Sequence, residues 1–168
     1  MGHNITAIIL KSDFNKNGAK EFDLIERQLG FELTLFHIDN WYCAYWQHLL
    51  KTEGELEITN ICQNWFMIIP SEVVLAEIMK RISGQNEPEF AIITTDYFGG
   101  MGFQWANVFQ GSNNADRTIE TINQALKYLR VKANAGLDEF ETVGLDKIRT
   151  QPEYLEKYRD LCHELEID

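Results

Sequence analysis

The sequence predicts a single α+β domain, with a mixed α/β layering as the alternative, and three observations predict it. Short β-branched runs alternate with stripes of apolar residues at helical spacing. A late segment, residues 91–109 (AIITTDYFGGMGFQWANVF), reads as an apolar strand, a turn built on Gly99, Gly100 and Gly102, and a second aromatic strand. The chain has 168 residues with 45% hydrophobic and 12% aromatic content, which is enough for one packed core. The expected arrangement is a mixed sheet with helices mainly on one face.

Taken in order, residues 4–11 (NITAIILK) form a short buried strand. Phe22, Ile25 and Leu29 repeat at three and four residues, which predicts a helix over 19–28 with Gly30 as its C-terminal cap. Residues 31–38 alternate as a second strand. Asp39 or Asn40 then caps an aromatic helix over 41–50 (WYCAYWQHLL). The alternation Glu55-Leu56-Glu57-Ile58 suggests a half-exposed edge strand within 53–61. Residues 64–69 (NWFMII) read as a strand or buried connector ending at Pro70. Ser71 opens a helix over 72–82, and Gly84 stops it.

After the hairpin, Asp116 is a cap for a long helix carrying Ile119, Ile122, Leu126, Leu129 and Ala133, ended by Gly136. Residues 137–143 add a turn or two of helix, closed by Gly144. Thr150-Gln151-Pro152-Glu153 fits a capping box and opens a last helix with Tyr154, Tyr158, Leu161 and Leu165 on one face. From 137 to 168 there are 10 acids against 4 Lys and Arg. This stretch reads as an acidic helical flank of the same domain.

The net charge is −11, with 15 Lys and Arg scattered among 26 acids, so no basic stripe exists for nucleic acid or an anionic membrane. No apolar run reaches the roughly 18 residues of a membrane helix. The N-terminus lacks a basic leader region, and Cys43, Cys62 and Cys162 are widely spaced with no C-x-x-C pair. Reduced thiols in the cytoplasm are expected. Residues 1–6 fit the acylation and glycosylation patterns, but nothing else in the chain supports either context.

Catalytic and metal patterns are absent. His3, His37, His48 and His163 form no H-E-x-x-H or H-x-H, and no G-x-S-x-G is present. Cys162 and His163 are adjacent on a helix, so their side chains diverge. The glycine turn is not a phosphate loop, because a strand and not a helix follows it and no Lys-Ser/Thr pair is near. No cofactor is implied. Asp96 and Tyr97 could do acid–base work only with a second acid that the sequence does not supply. No catalytic residue is assigned.

A binding site is the better expectation. Asp96, Tyr97, Phe98, Gly99, Gly100, Gly102, Gln104 and Trp105 cluster at the hairpin end, and Tyr and Trp are enriched at interface hot spots. The run Asp96-Tyr97-Phe98-Gly99-Gly100-x-Gly102-x-Gln104-x-Ala106 resembles the Y-F-G-G-x-G-x-Q motif of small bacterial proteins associated with immunity or antitoxin roles. The resemblance implies a bacterial cytosolic protein that neutralises a basic, toxin-like partner, and it implies no catalytic residues. The alternative is a small enzyme or ligand-binding domain with a pocket at the turn over 96–105. A third reading makes the glycine turn purely structural and places function elsewhere, for instance on a homodimer surface formed by the helix over 41–50.

Overall fold

The computed structural model describes residues 2–61 and 68–167. Its centre is a six-stranded sheet in the order β2-β3-β1-β4-β5-β6. The strands are β1 (His3–Leu10), β2 (Glu26–Gln28), β3 (Thr34–His37), β4 (Glu89–Phe98), β5 (Met101–Gln110) and β6 (Asn113–Asn114). The helices are α1 (Lys16–Glu21), α2 (Asn40–Leu49), α3 (Val74–Ser83), α4 (Ile122–Tyr128), α5 (Glu139–Val143) and α6 (Lys157–Glu164). The fold is α+β, as the sequence predicts.

The sheet is antiparallel throughout, not mixed. Short turns join β2 to β3, β4 to β5 and β5 to β6, and such turns permit only antiparallel neighbours. The remaining pairs set β1 against β3 and β4, both running opposite to it. Among the described residues, the one parallel contact is an isolated bridge between Asn4 and Thr150.

Helices cover both faces of the sheet, not mainly one. Ile8, Leu10, Phe36, Phe90, Ile92, Trp105 and Phe109 pack under α1, α2, α3 and α6. Ile5, Ala7, Ile9, Ala91, Ile93, Ala106 and Val108 pack against α4, α5 and the 145–148 segment. The reason lies in β1 and β4. Both are apolar at odd and even positions alike, so neither face can be left to water.

Several boundaries moved for local reasons. The helix expected over 19–28 ends at Glu21, and Asp23 turns to a left-handed φ of 55°. Tertiary ties hold that turn: the Tyr158 hydroxyl donates to Asp23 Oδ2 at 2.7 Å, and Lys157 Nζ lies 2.6 Å from the same oxygen. Ile25 is left 52% exposed, and β2 follows instead of more helix. Gly30 is no helix cap. Phe31 and Glu32, with φ of 60° and 59°, form the tight turn of the β2–β3 hairpin.

Among the described residues, the stretch 53–61 pairs only through the Glu55–Glu72 bridge and forms no edge strand. Of the expected 64–69 strand, residues up to 67 lie outside the described residues, as does Cys62. α3 starts at Val74 without a side-chain cap, so Ser71 does not serve as one. α4 is shorter than its stripe suggests. Thr121 and Gln124 form its capping box, while Asp116 instead accepts from Thr118 N in a local turn. The Thr150–Glu153 capping box is not made either. Gln151 is committed to β1 and β3: its Oε1 accepts from Thr6 N at 3.0 Å, and its Nε2 donates to Ile38 O at 2.7 Å. A 3₁₀ turn (Glu153–Glu156) leads into α6.

The same Gln151 oxygen fixes His37. Oε1 can only accept, so His37 Nδ1, 2.9 Å away, carries the proton. Burial pushes the His37 pKa down. The folded state therefore holds fewer protons than the unfolded state between that depressed value and the ordinary 6.5. Acidification through this window favours unfolding. Asp39 and Glu72, whose pKa values burial raises, act in the opposite sense at lower pH. Thermal melts from pH 8 to pH 5 should show the wild type losing more of its Tm than His37→Gln does. Parallel curves would contradict the assignment.

Candidate functional site

The hairpin end is built by a two-residue turn on Gly99 and Gly100, and Gly102, expected in the turn, lies within β5. Gly99 and Gly100 have φ of 60° and 79°, and the ladder continues through Phe98 and Met101 directly beside them. Both central residues need positive φ, which glycine supplies without strain.

Strand alternation then divides the eight expected site residues. Tyr97 and Gln104 face α4, and they line a pocket of about 320 Å3 together with Gly100. Asp96 and Phe98 face the other way and are exposed. Trp105 is not available for binding. It is 1% exposed, and its indole N–H donates to Thr59 O at 2.8 Å. Gly99 sits at the open turn, and Gly102 serves the hairpin itself, since a side chain there would meet Tyr97 Cα at 2.7 Å. The segment that leads into α4 packs directly against Gln104 and Ala106. Gln104 Oε1 accepts from Ile122 N at 2.7 Å, and Ala106 N donates to Glu120 O.

The rest of the pocket comes from residues with no local signal in the sequence. His3 projects from the start of β1. Its Nε2 lies 2.9 Å from Leu145 O, which only accepts, so Nε2 holds the proton and Nδ1 accepts from the Thr95 hydroxyl at 2.8 Å. Thr95 Oγ1 in turn accepts from Ile5 N. With both nitrogens engaged, His3 acts as a strut rather than a base. Its ring braces Phe140, with ring centroids 5.1 Å apart.

Asp138 caps α5 by accepting from Glu141 N at 2.8 Å, and its second oxygen accepts from Asn123 Nδ2 at 3.2 Å. Asn123 Oδ1 receives Phe140 N at 2.9 Å, which locks α4 to α5 across the pocket floor. Gln104 Nε2 donates to the Tyr97 hydroxyl oxygen at 3.3 Å. Arg149 donates from Nε to Gly2 O and from a terminal nitrogen to the Asp146 backbone oxygen.

Asp146 is the exception in this network. It lines the pocket, yet Oδ1 of its carboxylate is shielded from water without a partner. A shielded acceptor without a donor costs about 1–3 kcal/mol.

Other reactive groups lie elsewhere. Cys43 and Cys162 are buried free thiols, and burial pushes both upward in pKa. Among the described residues no three His, Cys, Asp or Glu side chains converge as a metal set, and no helix is long and apolar enough to cross a membrane. The aromatics of α2 are turned inward. Tyr42 packs edge-on to Tyr158, Trp46 to Phe22, and Trp41 to His163. Comparison with family models, with curated proteins and with solved structures finds no match for this chain.

Proposed function

We propose that this chain is a protein-binding module of the immunity type, which engages a basic partner through the end of the β4–β5 hairpin. The observation that carries the reading is the pair Phe98 and Met101. They face each other across the Gly99-Gly100 turn and are 83% and 80% exposed, the most exposed large apolar side chains among the described residues. In isolation they contribute nothing to the core. Buried in a complex, each would contribute about 1.5–3 kcal/mol. Phe98 and Met101 are already paired in the β4–β5 ladder, so their backbone needs little further ordering on binding.

The net charge of −11 selects a basic partner and accelerates its approach. The homodimer reading through α2 has less support, because that helix commits its aromatic side chains to α1 and α6. A small-molecule site at the pocket is the second reading, favoured by the unpartnered Asp146 Oδ1.

Affinity capture from a lysate of the source organism, at low and moderate salt, tests the proposal. Wild type should retain a basic protein that salt weakens. The double variant Phe98→Ser/Met101→Ser should lose it while keeping the wild-type Tm. Retention of the same proteins by both would overturn the reading.

A further inference from the structure

We infer that the pocket beside the hairpin is a socket for an organic cation, and that the cation is a lysine or arginine side chain of the basic partner. The source of the cation rests on the protein-binding reading above; its chemistry rests on the pocket alone.

Two carboxylates line the cavity, Asp138 and Asp146. Asp138 has two of its acceptor sites filled by Glu141 N and Asn123 Nδ2, and a carboxylate offers about four. Asp146 Oδ1 has none filled. An anionic ligand would meet both of these charges. The one guanidinium nearby, Arg149, already holds the Gly2 and Asp146 backbone oxygens.

Phe140 and Tyr97 add two aromatic walls to the same cavity. A cation within about 6 Å of such a ring is attracted by its quadrupole. Phe140 is held in place by His3 and by the Asn123 bond to its backbone, so this wall is preformed. Carboxylate torsions are broad and soft. Rotation of the Asp146 carboxylate would bring Oδ1 to an entering ammonium or guanidinium, which supplies the donor that oxygen lacks. The neighbouring acid Glu139 is already paired, 3.5 Å from Lys127, and takes no part. Phe98 and Met101 project from the face of the hairpin opposite the pocket, and Gly100 lies both at the tip and on the pocket wall, so a partner that straddles the tip can cover the apolar pair and place a side chain in the socket.

The test is a titration of the full, 15N-labelled chain followed by amide shifts. The probes are Nα-acetyl-arginine methylamide, Nα-acetyl-lysine methylamide, the neutral Nα-acetyl-norleucine methylamide, and phenethylamine as a free small amine. The arginine and lysine probes should shift Tyr97, Gly100, Gln104 and Phe140, and salt should weaken them. Asp146→Asn should weaken both probes tenfold or more. Equal shifts with the norleucine probe, or unchanged binding in Asp146→Asn, would overturn the cation socket and leave the Phe98–Met101 interface standing. Phenethylamine binding tenfold tighter than either amino-acid probe would overturn the partner side chain as its source. Failure of the protein-binding reading shows separately, as capture unaffected by Phe98→Ser/Met101→Ser.

Discussion

Replacing Gly102 by alanine is expected to cost about 3–5 kcal/mol, among the largest effects of any single substitution in the chain. Gly102 has φ of 151°, a conformation that side chains rarely adopt. A Cβ there would collide with the Asp96 carbonyl oxygen and lie 2.7 Å from Tyr97 Cα. Both obstacles are backbone of the paired strand, so no rotamer change relieves them. The ladder must open between Asp96 and Gly102, which also displaces Tyr97 from the pocket. Gly100→Ala is the control. It keeps a positive φ of 79° but has open space around it, so its cost is about 1–2 kcal/mol. Urea denaturation of the two variants measures the difference. Equal midpoints would mean that the strands do not pair in this register.

Asn107→Ala is expected to lose about 2–4 kcal/mol through a different mechanism. Asn107 is fully buried on the face of β5 that carries Trp105 and Phe109. Its Oδ1 accepts from Thr59 N at 2.8 Å and from Asn114 Nδ2 at 3.2 Å. Its Nδ2 donates to Ile119 O at 3.1 Å. One amide thus ties the 57–60 segment and the 114–119 loop to the sheet. Removing it strands the Thr59 amide, whereas Trp105 continues to hold Thr59 O. Amide exchange should speed at Thr59 well beyond the change at Ile8 or Ile92 in the central strands. Unchanged protection at Thr59 would contradict this role.

How far the sequence reaches is clearest at particular residues. Asp39, Gly84 and Gly144 are legible because a cap is a local device, and each stands where the sequence puts it. The β4–β5 hairpin is legible because alternation and a glycine turn are local too. Phe22, Ile25 and Leu29 mislead for the complementary reason. Their helical spacing is real, but the contacts of Asp23 with Tyr158 and Lys157, over 130 residues away, decide the backbone there. Helix coverage of both faces is written in Ile8 and Ile9, apolar neighbours on opposite sides of β1.

At the candidate site, Tyr97, Gly100 and Gln104 reach the pocket, while Trp105 is turned away by strand parity and a buried partner. His3, Asn123, Asp138, Phe140, Asp146 and Arg149 carry no shared local pattern. Only the packing of α4 and α5 on the sheet brings them together.

Hydrogen exchange on the captured complex tests the central claim most directly, because it reads the interface from this chain's own backbone. With the basic partner bound, added protection should fall on residues 97–102 and 138–149, and the outer surface of α1 and β2 should exchange as in the free chain. Protection confined to α1, β2 or α2, with the hairpin end exchanging freely, would place the interface elsewhere and contradict the account.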